Sequence, residues 1–455
     1  MDDISPALLR ILRFLLERRT LFRCLGAYEW WLRRKHPNPT LPQFSYQVTI
    51  HTIRNLYGRR GKIAWASLFF PSEFLHAAHF IPFYPEIATG LVAALHFVQL
   101  PLAAAEKAWF SQDLCSYHRG GIGMSLLRFF PRPDFLFATS SICHGTVGFF
   151  EVLREIWNVP LFLVDVPKRW TQDAERYVAE QLTNIARRLE REWHVRFAWD
   201  KPFLLSNRTR EILLEVEALR QRKDRMLLPP TKNLDYLPYY YEFLGEETSL
   251  RFAERLKEEL SKPSKTLPHR LVWLHLKPFY SGELPALLEK LGLGVVYEEF
   301  TTPFPEELSA ASPLKSLARK ILWASETLAT SQGRIPGILE ALKRYDAEGA
   351  IQFTQWGCRQ SQGMVVLLRE KLLEAGYPVL LLDGDHLDRR HNAPEQLRTR
   401  LEAFVEVLEG RGGFSSSRMR GRSFCSWGPQ GATSDQASVE LWTQSQLMER
   451  WGTER

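Results

Sequence analysis

Short apolar runs alternate with amphipathic segments through the middle of the chain. The run at 134–140 predicts a buried strand, the segment at 145–157 has the spacing of a helix, and the run at 160–166 predicts the next strand. Thr171 stands where it would cap a long helix that ends near Trp193. Strands that alternate with helices of this length are typical of βαβ units, which build parallel sheets.

A second alternating unit follows a connection at 261–268 that contains Ser, Pro and Lys. A helix at 395–409 closes this unit. Four more strands are predicted between the two segments, at 270–277, 294–300, 349–355 and 378–383.

The first part of the chain has a different pattern. Residues 1–60 are predicted to be helical. Beyond them, Ser72 is positioned to cap a helix, and Asn207 is positioned to cap another that runs from Arg208 to about Arg225.

These patterns predict an α/β protein with two stacked, doubly wound parallel-sheet domains of the Rossmann or flavodoxin type, preceded by a helical segment. A chain of 455 residues is too long for one ordinary core, which agrees with more than one domain. The predicted parts are an N-terminal helical segment at 1–62, a first α/β domain at 63–260 with Cys115 and Cys143, a second α/β domain at 265–410 with Cys358, and a flexible basic tail at 411–455.

Composition and charge are those of a globular protein that we expect in the cytoplasm. Hydrophobic residues make up 45% of the chain and charged residues 24%. The net charge of +7 (59 basic minus 52 acidic residues) is spread along the chain, so it does not by itself indicate nucleic acid. For the basic tail we prefer a disordered extension to an RNA-binding segment. No stretch is long and uncharged enough to span a membrane, and the start Met-Asp-Asp is not that of a secretory signal.

Three of the five cysteines are candidates for a metal site. An odd number of cysteines argues against a disulfide scaffold and for reduced thiols. Cys143 and Cys358 follow runs predicted to be buried parallel strands, so their thiols should leave the carboxyl edge of a sheet, where such folds bind ligands. Cys115 lies in another loop that we expect to meet them. Three thiolates without a fourth suit an iron–sulfur cluster with one iron open for a substrate.

The spacing of these cysteines alone is not a motif. The gaps of 28 and 215 residues are unlike the compact cysteine runs of ferredoxins. The absence of a Cys-x-x-Cys pair weakens the case for a structural zinc site. Taken singly, each cysteine is more simply explained as a small buried hydrophobic residue, and we keep that interpretation for Cys24 and Cys425.

An ordered set of short segments across about 65–410 resembles the family of 2-hydroxyacyl-CoA dehydratase and benzoyl-CoA reductase subunits. In chain order the segments are Trp65-Ala-Ser-Leu-Phe-Phe-Pro-Ser-Glu73, Ile81-Pro-Phe-Tyr-Pro-Glu86, Cys115-Ser-Tyr-His-Arg119, Pro133-Asp-Phe-Leu136 with Cys143, Pro160-Leu-Phe-Leu-Val-Asp-Val-Pro167, Gly333-Arg334, Glu348-Gly-Ala-Ile-Gln-Phe-Thr-Gln-Trp-Gly-Cys358, Gly376-Tyr-Pro-Val-Leu-Leu-Leu-Asp383 and Gln396-Leu-Arg-Thr-Arg-Leu-Glu-Ala-Phe-Val-Glu406. Each segment is short, but their order makes the set specific. Two positions depart from the family's pattern: His79 stands where members often carry glycine, and Leu274-His-Leu-Lys277 lacks the glycine usual after that strand.

The resemblance implies a [4Fe–4S] cluster held by Cys115, Cys143 and Cys358, an acyl-CoA substrate, and a related second subunit in a heterodimer or a homodimer. It also implies a separate ATP-hydrolysing iron–sulfur activator that injects a strongly reducing electron. In the dehydratases that electron makes a ketyl radical from the thioester, and the radical expels the hydroxyl. An open iron could bind the thioester oxygen as a Lewis acid. Two alternatives stay open, a benzoyl-CoA (aromatic ring) reductase subunit and a non-catalytic iron–sulfur electron-relay or carrier protein.

Four further residues are candidates for the site. We predict Glu73 as a base near the substrate and Ser67 as a hydrogen-bond partner of the cluster or the substrate, although Glu73 could equally stabilise its helix N-terminus. His118 and Arg119 flank Cys115 and are predicted to contact the thioester or the CoA phosphates, with a surface salt bridge as the alternative. The stretch Asp383-Gly-Asp-His386 is interpreted as a turn at a strand end rather than a metal site.

Overall fold

Two four-stranded parallel sheets organise the molecule. A computed structural model of the protein describes residues 19–223, 228–262 and 266–410. The strands are β1 Ile63–Ala66, β2 Ile81–Phe83, β3 Phe135–Thr139, β4 Leu161–Val164, β5 His269–Leu274, β6 Leu293–Glu298, β7 Gly349–Gln355 and β8 Val379–Gly384. The strand order is β2-β1-β3-β4 in the first sheet and β6-β5-β7-β8 in the second, so the two sheets have the same topology.

In each sheet the second strand in sequence pairs with one edge of the first strand, and the third and fourth strands are added on its other edge. The first sheet reverses between β1 and β3, where Trp65 lies opposite Leu136. The second sheet reverses between β5 and β7, where Trp273 lies opposite Ile351. Open α/β sheets bind ligands beyond the carboxyl ends of the strands at such a reversal. The residues that follow β1, β3, β5 and β7 are therefore placed for chemistry.

Helices precede the first sheet and connect the strands. Before the first sheet they are α1 Arg19–Lys35 and α2 Leu41–Tyr57. Up to the second sheet they are α3 Ser72–Ala77, α4 Pro85–Ala94, α5 Gln99–Lys107, α6 Ser116–Leu126, α7 Gly145–Trp157, α8 Gln172–Trp193, α9 Asp200–Arg220, α10 Leu237–Tyr240 and α11 Glu247–Ser261. In the second half they are α12 Leu284–Lys290, α13 Pro313–Ala329, α14 Ser331–Arg344, α15 Arg359–Glu374 and α16 Pro394–Leu408, with short 3-10 turns at Lys232–Tyr236, Glu299–Thr301 and Arg389–His391.

The central strands form because most of their residues are apolar and both of their faces are covered. All residues of β1, β3 and β7 are buried. Trp65 packs edge-on against Phe130 and Trp157, and its Nε1 donates a hydrogen bond to the carbonyl oxygen of Pro131 at 3.1 Å. Removing a buried side chain of this size costs about 3–5 kcal/mol of stability.

The predicted fold class is confirmed. The six strands predicted after residue 130 are all present, with ends shifted by a few residues, whereas β2 was not predicted because three residues are too few for a periodic pattern. In the described part of the N-terminal segment, α1 and α2 are helical as expected. Residues 1–18 and the predicted tail at 411–455 lie outside the described residues. None of the helices in the ranges above combines the length and the apolar character needed to cross a membrane.

One predicted helix cap is confirmed and another is wrong. The Thr171 side chain accepts a hydrogen bond from the N–H of Ala174 and caps α8. The predicted cap Ser72 is the first residue of α3, and its hydroxyl donates to the carbonyl oxygen of Leu244 at 2.9 Å. The Ser72 hydroxyl is therefore bonded to a distant backbone acceptor and does not cap the helix.

Asn207 is also wrong as a helix cap. It lies inside α9, where its side-chain amide exchanges two hydrogen bonds with the backbone of Leu308, at 2.9 Å and 2.8 Å. This paired contact across 101 residues of sequence outweighs the local capping preference.

Candidate functional site

The three predicted cluster cysteines all lie at helix N-termini. Cys115 immediately precedes α6, Cys143 lies two residues before α7, and Cys358 immediately precedes α15. The amide N–H groups at a helix start carry partial positive charge, so they favour thiolates and anionic groups. Burial raises the pKa of the Cys143 thiol, and hydrogen bonds from the N–H groups of Gly145 and Thr146 act in the opposite direction.

A cavity of about 890 Å³, here called the cysteine cavity, brings the three thiols together with the carboxyl ends of four strands. Ser67 follows β1, Cys143 follows β3, His275 follows β5 and Cys358 follows β7, and all of them line the cavity together with Cys115. These strands are the pairs at which the two sheets reverse, so the crevices of both sheets open into one space. The remaining lining is predominantly apolar.

The three thiols are close enough to influence one another's ionisation. Burial raises the pKa of the Cys115 thiol, and the thiols of Cys358 and Cys143 raise it further. Burial and the Cys358 thiol likewise raise the pKa of Cys143. Thiolates at these positions therefore need positive charge between them, and a bound iron-containing group would supply it.

Three free cysteine thiols are the type of donor that holds an iron–sulfur group. Cys115, Cys143 and Cys358 are free of disulfides. In the part of the chain that the structure describes, no group of three or more His, Cys, Asp or Glu side chains is arranged to hold a metal ion. The three thiols line one cavity.

Gly357 allows the loop of Cys358 to pack against the loop of Cys115. Its φ of +71° is one that glycine adopts without steric cost. A Cβ at this position would lie 2.6 Å from the carbonyl oxygen of Asp113 and 3.1 Å from the amide nitrogen of Cys115. Because no real side chain fits those distances, glycine is required where the two cysteine loops meet.

Of the two predicted substrate-binding residues, His118 lies at the cysteine cavity and Arg119 does not. The His118 ring stacks on Phe149 with ring centroids 4.8 Å apart, and burial lowers its pKa to about 4, so the ring is neutral. Arg119 is fully buried and donates to Asp388 at 2.7 Å and to the carbonyl oxygen of Gln112 at 2.8 Å. The Arg119 guanidinium is paired inside the protein and does not face a space that could hold a CoA phosphate.

Ser67 and Glu73, the two predicted catalytic residues, lie in different cavities. Ser67 lines the cysteine cavity, and its Oγ accepts a 3.2 Å hydrogen bond from the N–H of Thr139, which links the ends of β1 and β3. Glu73 lines a second cavity of about 380 Å³, where Ser206 and Lys320 both donate to its Oε1 at 2.6 Å. Burial acts to raise the pKa of Glu73, but Lys320 and Ser206 together lower it below the usual value. This carboxylate is charged and paired.

Glu86 is a functional candidate that the sequence analysis did not single out. It stands in the first turn of α4 and lines the cysteine cavity. Burial raises its pKa to about 8, although backbone N–H groups of Leu68 and of Glu86 itself act to lower it. Its Oε2 has no hydrogen-bond partner among the described residues. The carboxyl is therefore largely protonated at neutral pH. A lone acidic residue at the end of the apolar segment Ile81–Glu86 was the available signal.

His275 also lines the cysteine cavity, although the sequence marked it only as a missing glycine. Its φ is +70° and its Nε2 lies 3.9 Å from Sγ of Cys358. Burial and the charge of Arg334 together lower its pKa to about 3, against a smaller opposing effect of a hydrogen bond with the Gln360 side chain. The imidazole is therefore neutral.

Two lysines and one aspartate form a charged corner in the otherwise apolar lining. The Asp235 carboxylate lies 2.6 Å from Nζ of Lys277 and 2.9 Å from Nζ of Lys232. Burial lowers the pKa of Lys277, and Asp235 opposes that shift. Because two ammonium groups share one carboxylate, this corner has an excess of positive charge that suits an anionic group of a ligand.

The stretch Asp383-Gly-Asp-His386 contains the last two residues of β8 and the start of the turn that follows it, in agreement with the interpretation as a strand-end turn. Asp385 accepts hydrogen bonds from the N–H groups of Leu387 at 2.7 Å and Asp388 at 2.8 Å. It also accepts one from the hydroxyl of Ser116 at 2.7 Å. The aspartate thus holds the turn against the start of α6.

Comparison with known proteins identifies the family. Residues 67–408 of the chain match the family described as 2-hydroxyglutaryl-CoA dehydratase, D-component. These residues include every strand after β1 and all three cysteines of the cavity. It is 23% identical over 396 residues to the (R)-phenyllactyl-CoA dehydratase alpha subunit of Clostridium sporogenes, covering 77% of this chain and 90% of that protein. It is 21% identical over 397 residues to the lactoyl-CoA dehydratase alpha subunit of Anaerotignum propionicum, covering 78% and 93%. It is 22% identical over 351 residues to a subunit of the benzoyl-CoA reductase of Thauera aromatica, covering 67% and 79%. The chain therefore belongs to the 2-hydroxyglutaryl-CoA dehydratase D-component family and is an enzyme subunit of the dehydratase or reductase type.

Proposed function

We propose that this chain is the [4Fe–4S] subunit of a radical 2-hydroxyacyl-CoA dehydratase. The observation that carries the proposal is that three free thiols line one cavity at three helix N-termini, in a member of this family. Cys115, Cys143 and Cys358 would hold the cluster. When bound, the cluster would supply a strongly reducing electron and an open iron that acts as a Lewis acid.

The lining of the cysteine cavity would bind and orient the acyl-CoA. Aromatic side chains such as Phe69, Phe83 and Phe300 line the cavity and would reduce the access of water to a bound ligand. The corner formed by Lys277, Lys232 and Asp235 would receive an anionic group of the ligand. Ser67 would donate its hydroxyl hydrogen to the ligand, because its oxygen already accepts from the backbone.

Glu86 is the group that we propose to move the proton. Dehydration removes a hydroxyl and a proton from the substrate, so it needs a group that can give and take a proton near neutral pH. A carboxyl with a pKa of about 8 is largely protonated at neutral pH, so it would donate its proton to the leaving hydroxyl, which departs as water. The carboxylate left behind would then accept the proton that the substrate loses. Glu73 lacks this freedom, because Lys320 and Ser206 hold it as a paired carboxylate in the second cavity.

The partners follow from the same chemistry. We propose an acyl-CoA substrate, a related second subunit and an ATP-hydrolysing iron–sulfur activator, acting together in the cytoplasm. The dehydratase relatives named above are alpha subunits, which supports a second subunit. The activator is included because amino-acid side chains do not generate a strongly reducing electron by themselves.

Iron analysis of the protein purified under anaerobic conditions tests the cluster. The wild type should be brown and hold about four irons per chain. Cys115→Ala, Cys143→Ala and Cys358→Ala should each lose most of the iron. Cys24→Ala is the matched control and should keep the iron, because that cysteine is exposed and has no predicted role in the site. A wild type that stays free of iron after reconstitution with ferrous iron and sulfide would overturn the proposal.

Aromatic ring reduction is the second candidate, supported by the similarity to a benzoyl-CoA reductase. The activated complex should be incubated separately with benzoyl-CoA, with phenyllactyl-CoA and with lactoyl-CoA. Formation of an unsaturated acyl-CoA supports dehydration, and a dearomatised ring supports reduction. If no acyl-CoA perturbs the EPR signal of the cluster, an electron-relay or carrier protein becomes the better interpretation.

A further inference from the structure

His275 holds a backbone conformation that side chains other than glycine rarely adopt. It is the first residue after β5, and its φ is +70°. Positive φ at a bulky residue persists only where the surrounding structure enforces it, and such outliers concentrate at functional sites. The conformation of His275 is therefore consistent with a functional role for its ring.

A buried ion pair enforces this conformation. The N–H of His275 donates to Oε2 of Glu299 at 3.0 Å. Glu299 in turn accepts two hydrogen bonds from Arg334, at 2.6 Å and 2.9 Å, and both of these residues are buried. The backbone of His275 is thus fixed by a charged pair that water does not reach.

Two rings fix the orientation of the His275 side chain. It stacks on His386, with centroids 5.0 Å apart and planes at 23°, and it meets Phe300 edge-on at 5.3 Å. In this orientation Nε2 lies 3.9 Å from Sγ of Cys358. Nδ1 has no hydrogen-bond partner in the described ranges.

The chemistry of a cluster ligand determines which atom donates. A cysteine sulfur bound to iron carries no proton, so it can only accept a hydrogen bond. To donate to this sulfur the ring has to carry its hydrogen on Nε2, and no described residue lies within hydrogen-bonding distance and angle of Nδ1 to hold the hydrogen there instead.

We propose that His275 donates an N–H···S hydrogen bond to Cys358 and thereby raises the reduction potential of the bound cluster. This inference rests on the proposed function, because it needs the cluster to be present. The reduced cluster carries one more negative charge, part of which lies on its sulfur ligands. A hydrogen-bond donor at sulfur stabilises that state and makes reduction easier. His275 is a positioning residue in this scheme, since it acts through Cys358 rather than on the substrate.

The test is a redox titration of the full-length protein, monitored by EPR, together with iron analysis. His275→Gly removes the ring and suits the backbone, and His275→Asn also removes the ring while asparagine tolerates positive φ. At a fixed potential each variant should show about a tenfold lower ratio of reduced to oxidised cluster, which for a one-electron couple is a fall of about 59 mV. His79→Gly is the matched control: His79 also has a positive φ, of 57°, but it is exposed and does not line the cysteine cavity.

The outcomes separate this inference from the proposed function. If the His275 variants hold wild-type iron and keep the wild-type potential, the hydrogen bond has no tuning role, although the proposed function stands. Loss of most of the iron from variants whose circular dichroism is unchanged would also overturn the inference, because the ring would then serve binding rather than potential. A wild type without any cluster would overturn both. If His275→Gly does not fold, His275→Asn decides.

Discussion

Glu73 and Glu86 occupy comparable places in the first half of the chain, yet their surroundings give them opposite charge states. Both are buried, and both stand in the first turn of a helix that follows a strand of the first sheet. Glu73 receives hydrogen bonds from Ser206 and Lys320, and its pKa is lowered. Glu86 has no cation beside it among the described residues, and burial raises its pKa to about 8.

The difference shows that burial alone does not decide what a carboxyl can do. Desolvation penalises the charged form at both sites, and only a nearby positive charge reverses the balance. A compensated carboxylate contributes to stability and resists protonation, so it is poorly suited to exchange protons. An uncompensated carboxyl remains available for proton transfer, which is why we assign that role to Glu86 rather than Glu73.

Removing the cation from the Glu73 region should have the largest effect. Lys320→Met leaves a buried carboxylate without its partner and should lower the free energy of unfolding by about 3 kcal/mol, near the low end for broken buried pairs, because water can still reach part of this site. Urea unfolding at neutral pH measures the change. Lys371→Met is the matched control: its pair with Glu374 is exposed and screened by solvent, so this variant should leave the free energy of unfolding nearly unchanged. Equal stability of the two variants would mean that Glu73 is not held by Lys320.

Exchanging each carboxyl for its amide should separate activity from stability. Glu86→Gln cannot transfer a proton, so kcat for dehydration by the assembled complex should fall about 100-fold. Its unfolding midpoint at neutral pH should rise, because the amide removes a carboxyl that ionises more readily in the unfolded state than in the folded state. Glu73→Gln should do the reverse, lowering the midpoint and leaving kcat nearly unchanged. Steady-state kinetics with phenyllactyl-CoA and lactoyl-CoA, alongside urea unfolding, measure both quantities. The assignment of the proton to Glu86 fails if Glu73→Gln shows the larger loss of kcat.

The pH dependence of stability should have opposite signs for the two carboxyls. Glu86 has a pKa of about 8 when folded and 4.5 ordinarily, so the folded state holds a proton that the unfolded state releases between these values. Stability from this group therefore falls as pH rises through that window, by up to about 1.4 kcal/mol per pH unit. For Glu73, whose pKa is lowered, the contribution is present above the ordinary value and is lost as pH falls through the folded pKa.

Urea unfolding across about pH 4 to pH 9 checks these slopes. Glu86→Gln should flatten the decline on the alkaline side, and Glu73→Gln should flatten the decline on the acid side. If Glu86→Gln leaves the alkaline slope of stability against pH unchanged, Glu86 is not the group responsible for that slope. Glu242 would then be the next group to test, because its pKa is also raised to about 8.

Local patterns were sufficient for most of the fold and for part of the site. The strands after residue 130 are predominantly apolar runs, and Thr171 caps through a bond to a residue three positions away. The same reasoning was wrong for Ser72 and Asn207. Their side chains form hydrogen bonds with the backbones of Leu244 and Leu308, more than a hundred residues distant. Arg119 likewise lies within the segment that resembles the family, but its guanidinium is taken up by Asp388.

The sequence by itself determined that the protein is built from parallel α/β units and that Cys143 and Cys358 follow strands. These features depend on hydrophobic periodicity and on neighbours close along the chain. The tertiary structure alone decided which carboxyl is charged and which faces the cysteine cavity. The physical reason is that electrostatic compensation acts through space: Lys320 lies 2.6 Å from Glu73 across 247 residues of sequence, and no comparable cation in the described part of the chain reaches Glu86.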